Sequence, residues 1–194
     1  MIGMGTRQPS HPQPVSGFVL AGGQSRRMGQ DKAELPWGQT TLLAHMTRLL
    51  CAVAPDPTVV GRDPFPDRDS GRGPVEGIRT ALSVTATELN LIVAVDLPFL
   101  EPAFLGYLAD RLRGSPADAV RCRIADRTPL CIGVRTRILS AVETYLTNGG
   151  RSLQGLLDTV PHETITPSEL RALGITDRIF CNLNTPEDYE TMRQ

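Results

Sequence analysis

An α/β fold with a mostly parallel central sheet and helices on both faces is predicted by three features of the sequence. Apolar runs of strand length alternate with amphipathic runs of helix length from residue 17 onward. The most apolar run, residues 89–95 (LNLIVAV), has almost no polar side, as a strand covered on both faces requires. Pro102 then stands in the first turn of the next helix, where its missing N–H costs little.

The elements follow in order. Residues 1–16 are rich in Pro, Gln and Ser and carry little to bury, so they are expected to be a disordered lead-in, with one domain over 17–194. Residues 17–22 (GFVLAG) read as a short buried strand. Residues 41–53 read as a helix whose Leu42, Leu43, Met46, Leu49 and Leu50 share a face. A strand at 57–61, a helix at 75–88 and the strand at 89–95 come next, the last stopping at Asp96. In the less regular second half, strands are expected at 119–124, 129–134 and 178–183, and helices near 137–147, 152–159, 168–172 and 186–193. Thr185-Pro186-Glu187-Asp188 opens the final helix with a capping Thr, a first-turn Pro and acids at the positive end of the dipole.

Charge excludes some classes of function. The chain has 194 residues, with 20 basic against 21 acidic side chains and a net charge of −1, and no run of like charges. The footprint of a general nucleic-acid or membrane-surface binder is missing. No stretch approaches the roughly 18 to 20 apolar residues of a membrane span, and the N-terminus lacks a signal-peptide layout, so a cytoplasmic protein with reduced thiols is expected. Cys51, Cys122, Cys131 and Cys181, like His11, His45 and His162, are scattered without CxxC spacing, which argues against a zinc site or disulfide framework.

Chemistry concentrates after the first strand, in Leu20-Ala21-Gly22-Gly23-Gln24-Ser25-Arg26-Arg27-Met28-Gly29-Gln30-Asp31-Lys32. Consecutive glycines at a strand end expose backbone N–H groups to a ligand, and the arginines and Lys32 supply the charge a polyphosphate needs. Lys32 is the only lysine in the chain. Neither a Walker A loop nor GxGxxG is present, and a Gly-rich surface turn with solvated charges is the competing reading. Asp96 ends the most buried strand, where open α/β sheets bind ligands; a turn cap before Pro98 is its alternative. Asn182 and Asn184, two apart on a strand-like stretch, point to one face, either toward the site or to brace the turn into the last helix. Gly150-Arg151-Ser152 opens a short helix suited to an anion. Trp37 is read as packing, and Cys131 as a passive lining residue rather than a nucleophile.

The run from Leu20 to Lys32 resembles the LAGGxSxRMGxDK signature of the nucleotidyltransferases that make the molybdenum cofactor dinucleotide. Gly73-Pro74-Val75-Glu76-Gly77-Ile78 is similar to that family's GPLxGI loop, Asp96-Leu97-Pro98-Phe99 to its DxPF, and Asn182 to Asp188 to its NxNTPED. Residues 126–131 (DRTPLC) and 148–153 (NGGRSL) look like its pterin-side stretches, and narrow the resemblance to the molybdenum cofactor guanylyltransferase family. The resemblance implies a single Rossmann-like nucleotidyltransferase domain that joins GMP from GTP to the terminal phosphate of molybdopterin, releasing pyrophosphate and requiring Mg²⁺. It implies Lys32 on the phosphates, Asp96 on Mg²⁺, Gly22 and Gly23 as backbone donors and Arg26 at the departing pyrophosphate. Leu20, Ala21, Asp69, Gly73 and Pro74 join the nucleotide side, and Arg151, Ser152, Asn182 and Asn184 form the pterin side. Transient contact with molybdoenzymes or their chaperones would follow. A cytidylyltransferase, a sugar-phosphate nucleotidyltransferase and a non-catalytic carrier of nucleotide or pterin are the alternatives.

Three departures from the family pattern stand out. Gly61 and Arg62 occupy the place where the family often has Asn. The acid approaching the nucleoside is Asp67 or Asp69, with Asp69 preferred from its distance to Gly73. Glu76 replaces a small residue and is expected to add charge close to the base pocket.

Overall fold

The computed structural model describes residues 13–22, 31–69 and 71–192. The first half contains β1 (Val15–Leu20), a hairpin of β2 (Pro36–Trp37) and β3 (Thr40–Thr41), α1 (Leu42–Cys51), β4 (Thr58–Val60), α2 (Pro74–Val84) and β5 (Leu89–Ala94). The second contains α3 (Pro102–Gly114), β6 (Ala119–Cys122), β7 (Cys131–Arg135), α4 (Leu139–Thr147), α5 (Leu153–Leu157), β8 (His162–Ile165), α6 (Pro167–Ala172) and α7 (Pro186–Met192). Six strands form one sheet in the order β4-β1-β5-β7-β6-β8. β4, β1 and β5 pair in parallel, β7 is antiparallel to both of its neighbours, and β8 is parallel to β6. Only β7 runs against the rest, because the short link from β6, closed by the Ile124–Arg127 bridge, permits no crossover.

Strand alternation distributes the core over two faces. Val19, Leu91 and Val93 face Leu42, Met46 and Leu50 of α1 and Phe104, Leu105 and Leu108 of α3. Phe18, Leu20 and Ile92 face Ile78 and Leu82 of α2, Val142 and Leu146 of α4, and Leu156 and Leu157 of α5. All six residues of β5, which adjoins the site, are buried. No described helix is long and apolar enough to cross a membrane.

Several expectations are corrected. The first strand begins at Val15, not at residue 17: Val15 and Ser16 pair with Leu89 and Asn90, and the Ser16 amide donates to Thr87 Oγ1 at 3.2 Å. Of the expected lead-in, residues 1–12 lie outside the described residues. Residues 178–183 are not a strand. Asp177–Phe180 is a 3₁₀ turn whose apolar side chains enter the α3 side of the core, with Phe180 edge-on to Phe104 at 5.2 Å. The edge strand β8 has the sequence HETI, too polar to stand out by periodicity, and its pairing with β6 carries it.

Arg111 of α3 holds that edge. It donates to Glu163 of β8 at 2.9 Å and to Glu169 of α6 at 2.6 Å. The Ser115 hydroxyl and Arg111 hold Glu163 below its ordinary value; the Thr166 amide, followed by Arg111, does the same for Glu169 against the opposing effect of burial. Depressed carboxyl values confer stability that is present above about pH 4.5 and is lost as pH falls through the lowered values. The melting temperature should therefore fall on acidification below about pH 4.5. Arg111→Gln should flatten that fall and cost about 1 kcal/mol at neutral pH, the upper end for partly exposed pairs; thermal melts across pH check both.

Candidate active site

The site forms where β1 and β5 end side by side. The ladder runs past both strands: the Ala21 amide donates to Val60 O at 2.9 Å and the Val95 amide to Leu20 O at 3.0 Å. The next residue along, Asp96, has a side chain only 19 % exposed. Lys32 Nζ, from a 3₁₀ turn at Lys32–Glu34, lies 3.4 Å from Asp96 Oδ2 and donates to Asn184 Oδ1 at 3.0 Å. Asn182 Nδ2 donates to Asp96 Oδ1 at 3.0 Å. Four of the expected residues thus meet at one point, although they come from three distant segments.

The two asparagines arrive there without the strand that was expected to align them. Leu183 between them is fully buried, and its amide donates to Asp96 O at 2.9 Å, which turns its neighbours outward. The start of α7 then fixes Asn184. Asp188 Oδ2 accepts from the amides of Asn184 and Thr185, both at 2.9 Å, while Thr185 Oγ1 accepts from the Asp188 amide at 3.1 Å. Those two amides, Asn184 first, hold the Asp188 carboxyl below its ordinary value. This acid looked like a helix-dipole partner in the sequence; its work is to aim Asn184.

Two glycines set the other wall. Gly61, with φ +88°, passes so near Gly22 that a Cβ on it would stand 2.4 Å from the Cα and N of Gly22. A Cβ on Gly22 would stand 2.8 Å from Asp67 Oδ2. Asp67 therefore lies against the glycine loop, where burial pushes its carboxyl up and the Thr80 hydroxyl, donating at 3.3 Å, opposes the rise. Asp69, the acid preferred from the sequence, has its side chain 59 % exposed and pairs with Arg72 at 3.4 Å.

Glu76 does not charge a pocket. It is 2 % exposed, pairs with Arg79 one turn on, and accepts from the amides of Arg68 and Asp69 at 3.1 and 3.2 Å. Burial alone would push its carboxyl up; Arg79 and the two amides outweigh it and hold the group below its ordinary value. The residue pins the loop that carries Asp67 and Asp69.

Arg151 and Ser152 stand at the turn into α5. A Cβ on Gly73 would lie 3.0 Å from Arg151 O, so the turn before α5 abuts the loop of Gly73 and Pro74. Ser152 caps α5 by accepting from the Gly155 amide at 3.0 Å. A Cβ on Gly150 would stand 2.4 Å from the Tyr145 ring, which accounts for the second glycine of the NGGRSL stretch. Arg72, Leu146, Thr147, Gly149, Gly150 and Arg151 line a small cavity of about 110 Å³ beside this turn. Trp37 packs edge-on to Phe99 at 5.7 Å and beside His45 at 6.0 Å. Cys131 lies in the core rather than lining the site, and burial pushes its thiol well up. Gly23 and Arg26 lie outside the described residues.

A family model described as the MobA-like NTP transferase domain matches residues 17–163. A molybdenum cofactor guanylyltransferase of Xanthomonas euvesicatoria is 32% identical over 190 residues, covering 93% of this chain and 95% of its own. Another from Syntrophotalea carbinolica is 31% identical over 190 residues, covering 92% and 90%. Among solved structures, the molybdopterin-guanine dinucleotide biosynthesis protein A of Archaeoglobus fulgidus superposes with a TM-score of 0.78 at 24% identity, covering 92% of this chain and 96% of its own.

The Gly22–Gly61 approach can be tested directly. Gly61→Ala should cost about 1 to 3 kcal/mol for the backbone conformation alone, plus the overlap with Gly22. Gly38→Ala is the control, since Gly38 has φ +60° but nothing within 4 Å of a Cβ. Denaturant midpoints should fall further for Gly61→Ala; equal losses would mean that the close approach does not matter.

Proposed function

The chain belongs to the MobA-like NTP transferase family, and from that premise we propose that it transfers GMP from GTP to the terminal phosphate of molybdopterin, releasing pyrophosphate. The meeting of Lys32, Asp96, Asn182 and Asn184 at the ends of β1 and β5 carries the reading. An oxygen of the molybdopterin phosphate attacks the α-phosphorus of GTP as the bond to the β-phosphate oxygen breaks. That phosphate is already anionic near neutral pH, so no side chain need remove a proton. The protein's task is to hold the reacting groups in line and to meet the growing negative charge.

Lys32 meets the phosphates, as a compact point charge held between Asp96 and Asn184. Asp96 would hold Mg²⁺. The donor set fits: this ion takes one or two carboxylates and leaves its other positions to phosphate and water, and the described residues contain no cluster of three His, Cys, Asp or Glu side chains suited to another metal. When bound, the ion neutralises phosphate charge. Asn182 orients the Asp96 carboxylate and Asn184 orients Lys32. Leu20, Ala21, Gly22, Gly73 and Pro74 line the nucleotide side, with Asp67 rather than Asp69 as the acid nearest the nucleoside because its Oδ2 lies 2.8 Å from where a Cβ on Gly22 would stand. Arg151 and Ser152 remain the proposed pterin-phosphate contacts, Gly23 a proposed backbone donor to the nucleotide, and Arg26 the proposed contact of the departing pyrophosphate. We place the protein in the cytoplasm, where it would meet molybdoenzymes or their chaperones transiently.

Pyrophosphate release is the direct test. It should require GTP, molybdopterin and Mg²⁺ together; an equal rate with CTP, or release that ignores molybdopterin, overturns the assignment. Asp96→Asn keeps the shape of the side chain, so its melting temperature should stay within a few degrees while turnover falls on the order of 100-fold to 1000-fold. In calorimetry, Lys32→Ala should weaken GTP binding with or without Mg²⁺, whereas Asp96→Asn should weaken only the Mg²⁺-dependent part.

A further inference from the structure

We infer that Arg62 is a positioning residue for Lys32, clamping the turn that carries the lysine to the end of β1. This rests on the reading of Lys32 as a phosphate ligand. Arg62 follows Gly61 directly and is fixed by its own tight turn, in which the Phe65 amide donates to Arg62 O at 2.8 Å and the Gly61 amide to Phe65 O at 2.8 Å. Its guanidinium then grips two segments at once. Nη2 donates to Ala21 O at 3.1 Å, at the exit of β1, and Nε points to the same oxygen at 3.4 Å. Nη2 also donates to Asp31 Oδ2 at 2.8 Å and Oδ1 at 3.1 Å, while Nη1 donates to Glu34 Oε1 at 3.3 Å.

Asp31 and Glu34 bracket the Lys32–Glu34 turn. Asp31 Oδ1 also accepts from the Ala33 amide at 3.0 Å as the N-cap of that turn. The same carboxylate therefore shapes the turn and receives the clamp. Val95, beside Asp96, is bonded to Leu20, the residue before Ala21. Arg62 thus ties the lysine's turn to the strand end from which Asp96 is measured, and so sets the spacing of the Lys32–Asp96 pair. A planar fork spreads its five fixed donors over three nitrogens and so spans a carbonyl and two carboxylates on separate segments, whereas the three donors of an ammonium radiate from one atom. The arrangement differs from a charge waiting for ligand, because its donors are aimed at protein acceptors on both sides. The Asp31 and Glu34 side chains are 50 % and 62 % exposed, so these ion pairs contribute little to overall stability. Positioning is the effect left for them.

The experiment compares wild type, Arg62→Ala, Arg62→Lys, Asp31→Asn, which keeps the capping oxygen, and the Arg62→Ala/Asp31→Asn double variant. The readouts are kcat and KM for GTP in pyrophosphate release, melting temperature, and hydrogen exchange at the amides of Ala33 and Leu35. Arg62→Ala should lower kcat on the order of 10-fold to 100-fold, as small misplacements do. KM should change by less than about threefold and the melting temperature by only a few degrees. Exchange at Ala33 and Leu35 should quicken while that at Leu91 and Ile92 holds. Arg62→Lys should lose most of the rate too, and the double variant should be no worse than Arg62→Ala, because both changes break one tether. A full rate in Arg62→Lys, additive losses in the double variant, or unchanged exchange would overturn the clamp. A wild type with no guanylyl transfer would instead remove the proposed function, and the exchange data would still decide the clamp.

Discussion

Asp96 is the constraint on which the site depends, because its side chain and its backbone hold different parts of the chain. The carboxylate faces Lys32 and accepts from Asn182, while the carbonyl accepts from Leu183. Remove the strand behind it and neither set of contacts has a fixed origin. β5 is buried along its length between β1 and β7, with helices on both faces, and Val95 continues its pairing with Leu20, so Asp96, the second residue past its end, is held by a fixed frame. A partly buried carboxylate is costly unless paired, and here Lys32 and Asn182 pair it.

Much of the polar framework around this point is structural, although it looks functional by residue type. Glu76 is turned inward, neutralised by Arg79 and bonded to two loop amides. Asp188 Oδ2 accepts from the amides of both Asn184 and Thr185. Arg62 faces protein acceptors on two sides. Each satisfies backbone or side-chain groups that would otherwise lack a partner, and each fixes a neighbour that faces the site. The glycines play the complementary part. Gly22 and Gly61 are needed because two main chains pass at a distance that no Cβ tolerates, and that passage brings Asp67 to the loop.

How much of this was legible in the sequence varies from element to element. The helix at α1 and the strand at β5 announce themselves, because an apolar face repeats at the helical period or fills the whole run. The strand β8 does not, since HETI at a sheet edge needs only one neighbour and little burial. Residues 178–183 mislead for the opposite reason. Ile179, Phe180 and Leu183 are apolar because they fill the core beneath α3 and the site, not because they join a ladder. The convergence of Asn182 and Asn184 was foreseen from a strand that does not exist; a buried Leu183 between them produces the same alternation.

By itself the sequence determined the α/β alternation, the Gly-rich loop after the first strand, the lone lysine twelve residues beyond Leu20 and the Asp closing the most apolar run. These are local properties, written in the spacing of neighbouring residues, and the family to which the chain belongs is legible in the same local runs. Only the tertiary structure decided which distant groups meet. Lys32 reaches Asp96 across 64 positions and Asn184 across 152, Asp67 rather than Asp69 lies against Gly22, and Arg151 sits against Gly73. The reason is physical. Such contacts are set by how buried faces pack and by which close approaches the backbone allows, and neither is encoded in the order of residues around any one of them.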